Sequence, residues 1–166
     1  AAIVSMSAGL AAAGDIGLNQ LMLGEDFRQM SQAAGAGSCN DPKGARKALE
    51  CRGASSGLQP GFEKVAGAPI RQLTLNGFAA TRKLEGIYIS FNAADFDAVR
   101  ASFAERYPTL KCSDSSLQDK SGAKFSQTEC SATLPEGRIR LDRRAQSMDI
   151  STLEIASPAW QVSSDQ

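Results

Sequence analysis

The spacing of apolar residues predicts two short amphipathic helices. The first lies within residues 25–35, where Gly35 ends the pattern and one face carries Phe27, Met30 and Ala34. The second follows Asn92, which we expect to cap it, and stops before Pro108; its apolar stripe is Phe96, Val99 and Phe103. Each helix therefore needs an apolar surface to pack against.

Elsewhere the apolar period changes to two, which predicts antiparallel strands. The alternating segments are 72–77, 84–91, 138–142 and 150–156, and further strands are expected at 48–52 and 124–133. Turns are expected at 79–82 and 135–137, a polar loop around Cys112 and a short tail around Trp160. The predicted order is helix, three strands, helix, three strands.

This order favours an α+β fold of two tandem repeats, each a helix plus an antiparallel sheet, with the helices packed on one face of the sheet. The apolar triplet of the second helix follows that of the first by 69 positions throughout. Two amphipathic helices also align this well by chance, so the duplication stays one of two alternatives. The corresponding organisation is an apolar N-terminal arm or export-signal remnant at 1–17, a first repeat at 18–91 and a second at 92–166.

Strand alternation separates a core face of the sheet from an outward face. The predicted core positions are Leu73, Leu75, Ile87, Ile89, Phe91, Ile139, Leu141, Leu153 and Ile155. The predicted outward positions are Gln72, Thr74, Asn76, Tyr88, Ser90, Arg138, Arg140, Asp142, Thr152 and Glu154. Protein interfaces favour Tyr and Arg at their energetic centres, so Tyr88, Arg138 and Arg140 form the candidate protein-binding patch. An ordinary solvated sheet face has the same composition and is the alternative.

Charged residues elsewhere suggest structural roles. Arg138, Arg140, Arg143 and Arg144 are interleaved with acids, which favours a salt-bridged strand edge over an anion site. Asp95 and Asp97 open the second helix, where acids are favoured by the helix dipole, so we expect them to act as caps.

The four cysteines indicate an oxidising compartment. An even number of cysteines in short polar surroundings is typical of exported proteins, and the spacing contains no Cys-x-x-Cys metal motif. Of the three possible pairings we favour the two that are local in sequence, Cys39 with Cys51 and Cys112 with Cys130. The alternative is four free thiols in a cytosolic protein.

Composition argues against catalysis and against nucleic acid. The chain has 166 residues, balances 18 basic against 18 acidic side chains and contains no histidine. Histidine is the commonest general base and metal ligand, and no phosphate-binding glycine loop is present, so we predict no enzyme, no metal and no cofactor. No apolar stretch is long enough to predict a transmembrane helix.

One stretch of the chain resembles a known family. Gly24-Glu25-Asp26-Phe27, Ala33-Ala34-Gly35, Cys39 and Cys51-Arg52-Gly53 are similar to the first repeat of the secreted β-lactamase inhibitor proteins, and the helix-then-sheet unit also resembles the small lipoprotein of the outer-membrane β-barrel assembly machinery. The resemblance covers about thirty residues. It implies tandem helix-and-sheet repeats, one disulfide in each repeat and an open sheet face that binds a protein. The inhibitors have many aromatic residues on that face, whereas Tyr88 is the only aromatic predicted on it here.

We therefore expect a non-catalytic periplasmic or secreted protein that binds another protein. One alternative is an immunity or inhibitor protein that inserts a loop, residues 36–48 or 111–124, into an enzyme's active site. Another is a structural subunit that docks into an envelope assembly through residues 1–20. A small-molecule carrier is a third, but the strands predict a filled core.

Overall fold

The computed structural model describes residues 16–40 and 47–164, and it has a mixed α+β fold dominated by antiparallel sheet. Residues 17–22 form a small hairpin of β1 (Gly17–Leu18) and β2 (Leu21–Met22). Ile16, Leu18 and Leu21 of this segment are buried in the main core. The predicted N-terminal arm or export-signal remnant lies almost entirely outside the described residues.

Helix α1 (Phe27–Ala34) lies within the predicted 25–35 segment and ends, as predicted, at Gly35. The Asp26 side chain accepts a hydrogen bond of 2.8 Å from the backbone N–H of Gln29, which satisfies a donor in the first turn. Gly35 ends the helix at φ 79°, a left-handed conformation that glycine adopts without a steric penalty. Local sequence therefore sets both ends of α1.

The remaining strands and helices follow in chain order. The strands are β3 (Ser38–Cys39), β4 (Ala48–Ala54), β5 (Lys64–Val65), β6 (Ala68–Phe78), β7 (Leu84–Asn92), β8 (Lys111–Gln118), β9 (Lys124–Leu134), β10 (Gly137–Ser147) and β11 (Ile150–Ala156). Helix α2 (Phe96–Arg106) lies between β7 and β8, and α3 (Pro158–Ser164) follows β11.

Among the described residues these strands form one nine-stranded antiparallel sheet. Its order is β3-β4-β6-β7-β11-β10-β9-β8, with β5 paired to β6 outside this path. The central contact joins β7 to β11 over seven residue pairs, from Ile150↔Asn92 to Ala156↔Gly86. Strands that are distant in sequence therefore meet in the middle of the sheet.

The sequence correctly separates the core from the opposite face. All nine predicted core positions are at most 1% exposed. The same core cluster contains Phe27 and Ala34 of α1 together with Phe96, Val99 and Phe103 of α2. Burial of these apolar side chains is the main stabilising contribution to the fold.

Three local predictions were wrong. Cys112 lies in strand β8 rather than in a loop; every residue of this edge strand is exposed, so the strand has no apolar alternation to detect. The tail around Trp160 is helix α3. Asn92 does not cap a helix with its side chain but accepts a 3.5 Å hydrogen bond from Arg71, and a short 3₁₀ turn, Ala93–Asp95, leads into α2.

Both predicted disulfides are formed, and each joins directly paired residues of neighbouring strands. Cys39 and Cys51 link β3 to β4, and Cys112 and Cys130 link β8 to β9. Across residues 16–40 and 47–164, none of the helices combines the length and the apolar character required to cross a bilayer.

Candidate functional site

The candidate site is the face of the sheet opposite the apolar core, which we call the polar face. Strand register places one row of side chains across it, from β4 through β6, β7, β11 and β10 to β9: Arg52, Thr74, Tyr88, Glu154, Arg140 and Ser131. Tyr88 and Arg140 are separated in this row by Glu154 alone. Since neighbouring strands lie about 4.8 Å apart, these two residues are about 10 Å apart along the row.

Arg138 lies on the same strand as Arg140 and on the same face. Its Nη2 donates a hydrogen bond of 3.2 Å to Oε1 of Glu154. Arg140 pairs with two acids, at 3.0 Å from Oδ2 of Asp142 and 3.8 Å from Oε1 of Glu129. The structure thus brings the three predicted residues, Tyr88, Arg138 and Arg140, onto one continuous surface.

The arginines of β10 do not form a single basic cluster. Arg143 bonds Asp97 of α2 at 2.7 Å, and its guanidinium lies 4.7 Å from the centroid of the Phe96 ring. Arg144 donates to the carbonyls of Ser126 and Met148. Ion pairing was expected at a strand edge, but β10 is an interior strand between β9 and β11.

The two acids lie at the predicted start of α2, Asp95 at the N-cap position and Asp97 in the first turn. Asp95 makes no side-chain cap hydrogen bond. Asp97 instead forms ion pairs with Arg143 and, at 3.4 Å, with Arg100 of its own helix. Asp97 is therefore favoured by the helix dipole and is also paired with two arginines.

Sequence reasoning missed two aromatic residues of the polar face. Phe78 lies on β6 two residues beyond Asn76, and α3 brings Trp160 within 5.3 Å of it, ring centroid to ring centroid. The indole of Trp160 lies close over Gly86, where a Cβ would be 3.1 Å from its Cδ1. The position of Phe78 in the alternation was visible in the sequence, but the position of Trp160 depends on how α3 folds back.

Two concave regions lie on the polar face. The first, which we call the aromatic groove, has a volume of about 410 Å³ and is lined by Glu50, Arg52, Gln72, Thr74, Asn76, Tyr88, Glu154 and Trp160, among others. The second, which we call the arginine trough, has a volume of about 470 Å³ and is lined by Lys111, Glu129, Ser131, Arg138 and Arg140, among others. A larger cavity of about 750 Å³ lies apart from this face, between α1 and the first disulfide.

The hairpin of β8 and β9 forms one edge of the sheet. Strand β10 pairs with β9 over Glu129–Leu134, and Arg144 of β10 continues the contact through the Ser126 carbonyl and the Phe125 ring. Leu117, 36% exposed, lies opposite Phe125 on the outermost strand. Asp119 shapes the turn, where its carboxylate accepts three hydrogen bonds from Ser121 and Ala123. These bonds hold the pKa of Asp119 below its usual value, and the bond from the Ser121 hydroxyl is the largest cause.

The described residues contain no group of three or more acidic or cysteine side chains arranged to hold a metal ion. No protein family, curated protein or solved structure matches the chain. The geometry of the polar face is therefore the basis for the functional argument.

Proposed function

We propose that the chain is an exported, non-catalytic protein that binds another protein through its polar face, with Tyr88, Arg138 and Arg140 in the contact. The observation that carries this proposal is the shared surface of a tyrosine and two arginines on one side of a sheet whose other side is the core. Residues of these types dominate the energetics of protein interfaces.

Hydrogen-bonding groups around the arginines support a role for them in binding a partner rather than as an ordinary solvated surface. Within the described residues, the buried Nε of Arg138 and the buried Oδ1 of Asp142 have no hydrogen-bond partner. A partner that rearranges these side chains can complete their hydrogen bonds.

We also propose that the chain consists of two tandem α+β repeats, 18–91 and 92–166, with their helices on one face of the sheet. Helix α1 precedes strands β3, β4, β6 and β7, and α2 precedes β8, β9, β10 and β11. Each group runs from an edge of the sheet to its centre, and each disulfide joins the two outermost strands of its group. This agreement supports the resemblance to the β-lactamase inhibitor and assembly-lipoprotein units.

Export to the periplasm or the cell exterior is supported by the disulfides. All four cysteines are paired, and such pairs persist where the environment oxidises thiols. No catalytic residue, cofactor or metal is part of the proposal.

Affinity capture tests the proposed function. The full chain is immobilised, incubated with a cell-envelope extract and compared with the variants Tyr88→Ala and Arg140→Ala; Arg100→Ala, on the exposed side of α2, is the matched control. We expect one protein that wild type and the control retain and both variants lose. The binding constant is then measured with that protein purified. Equal capture by all four chains refutes the role of the polar face.

A second candidate function, enzyme inhibition or immunity, is favoured by the turn between β8 and β9 at the edge of the sheet. Strand β8 and this turn make up the 111–124 segment, and the turn is ordered before binding, which lowers the entropic cost of inserting it into a cleft. Leu117→Ser and Lys120→Ala in this hairpin then abolish inhibition of a captured enzyme while Tyr88→Ala has the smaller effect.

The other insertion candidate, 36–48, includes residues 41–46 outside the described ranges. Docking through residues 1–20 remains the structural-subunit alternative.

A further inference from the structure

The aromatic groove differs chemically from the arginine trough beside it. Its base is formed by uncharged polar side chains from β6 and β7: Gln72, Thr74, Asn76 and Tyr88. Amide side chains provide both donors and acceptors, and hydroxyls do the same. A ligand in this groove therefore meets a dense mixed array of hydrogen-bonding groups.

The charges that border the groove are paired with one another. Arg52 lies 2.8 Å from Oε1 of Glu50, and Glu154 accepts from Arg138 at 3.2 Å. A charged ligand would have to compete with these pairs. The groove consequently favours a ligand that is polar but carries no net charge.

Trp160 supplies an aromatic surface at one side of the groove. It is held there by its ring contact with Phe78 and by the absence of a side chain on Gly86. Helix α3 fixes its position further, because the backbone N–H of Trp160 donates to Oγ of Ser157 at 3.1 Å. Aromatic rings pair an apolar surface with a polar edge, which suits a ligand that has both C–H faces and hydroxyl edges.

We propose that the aromatic groove binds an uncharged oligosaccharide. The amide and hydroxyl groups of Gln72, Asn76 and Thr74 match adjacent sugar hydroxyls, while Trp160 and Tyr88 pack against the C–H faces of the rings. The volume of about 410 Å³ lies within the usual range for small-ligand sites. This site does not depend on the arginines of the trough, so it goes beyond the proposed capture of a protein.

The chain offers an internal reporter for this site, because Trp160 is its only tryptophan. Tryptophan emission is titrated with four uncharged hexasaccharides: β-1,4-linked and α-1,4-linked glucose, β-1,4-linked N-acetylglucosamine and β-1,4-linked mannose. Isothermal calorimetry on the same solutions gives an independent measure of binding. We expect a saturable change in emission with at least one of them.

Matched variants locate the binding. Gln72→Ala removes an amide from the groove and is expected to weaken binding about fivefold, which is the net effect of losing one hydrogen bond. Gln59→Ala removes an exposed amide beside α1 and is expected to change it less than about twofold. Tyr88→Ala also weakens binding. Thermal unfolding of each variant shows that it remains folded.

Two results overturn the proposal: no signal by either method with any hexasaccharide at roughly 10 mM, where even a weak site is occupied, or equal losses for Gln72→Ala and Gln59→Ala. The outcome is separable from that of the capture experiment. Failed sugar titrations with selective protein capture refute the groove alone, whereas sugar binding without any captured protein refutes the proposed protein partner.

Discussion

The guanidinium of Arg143 lies 4.7 Å from the centroid of the Phe96 ring, and this contact joins strand β10 to helix α2. The same guanidinium reaches Oδ1 of Asp97 at 2.7 Å. The Arg143 side chain is only 17% exposed, whereas that of Asp97 is 61% exposed. The contact between Arg143 and the Phe96 ring is therefore better shielded from solvent than the ion pair with Asp97.

Replacement of Arg143 tests this relationship. Arg143→Ala is expected to lower the free energy of unfolding by about 1–2 kcal/mol, because it removes the cation–π contact and uncovers part of Phe96. Urea denaturation measures the change. Arg100→Ala is the control, since it pairs with the same carboxylate from an exposed position and is expected to cost less than about 0.5 kcal/mol. Equal losses in the two variants would assign the effect to the ion pair.

Gly86 controls the position of Trp160 on the polar face. In Gly86→Ala the new Cβ lies 3.1 Å from the indole Cδ1, so either the ring or the strand has to move. We expect a change of about 1 kcal/mol or less in unfolding free energy and a shift of the tryptophan emission to longer wavelength, because the ring is displaced by a few tenths of an ångström. Gly37→Ala is the matched control, because its Cβ would meet no atom within 4 Å. An unchanged emission spectrum in Gly86→Ala would contradict the packing of α3.

Each disulfide closes a local loop, of 12 residues in sequence for Cys39–Cys51 and 18 for Cys112–Cys130. In the chain-entropy description, loss of either one lowers the free energy of unfolding by about 3 kcal/mol. The double variants Cys39→Ser with Cys51→Ser, and Cys112→Ser with Cys130→Ser, test this by chemical denaturation. When the wild-type chain is unfolded without reductant, a thiol reagent is expected to detect no free thiol. Detection of four free thiols per chain would overturn the proposal of export.

The turn at Asp119 makes a pH-dependent contribution. The Ser121 hydroxyl and neighbouring backbone N–H groups stabilise the ionised form, so the pKa of Asp119 is lower in the folded chain than in the unfolded chain. Its contribution to stability is complete above the ordinary aspartate pKa of about 3.9 and is lost as the pH falls through the lowered value.

The measurement is an NMR titration of the Asp119 side-chain carboxyl. Ser121→Ala is expected to raise its pKa, because the largest cause of the shift is removed. Ser115→Ala, on the same hairpin but away from the turn, is expected to leave the titration unchanged. If the two variants titrate alike, the turn hydrogen bonds do not control the carboxylate.

Elements with a clear apolar pattern could be predicted from the sequence, and those without one could not. Strands β6, β7, β10 and β11 each bury alternate residues, and their alternation marks them. Strand β8 buries none, so its eight residues resemble a loop until β9 pairs with them. The result is four main strands after each helix where three were predicted.

The candidate site could likewise be predicted only in part. Alternation placed Tyr88, Arg138 and Arg140 on the face opposite the core, because side-chain direction follows from strand periodicity. The acids near the two arginines predicted ion pairing, but neither the partner of Arg138 on a neighbouring strand nor the presence of Trp160 on this face could be inferred, since both depend on which strands and helices become neighbours.

The amino-acid sequence by itself determined the two amphipathic helices, the alternating strands and the pairing of nearby cysteines, because each depends on residues close together along the chain. The tertiary structure alone decided that β7 meets β11 at the centre of the sheet, that Asp97 bonds Arg143 rather than capping its helix, and that Trp160 lies against Gly86. These contacts join residues far apart in sequence, and their free energy is gained only when the whole sheet closes around its core.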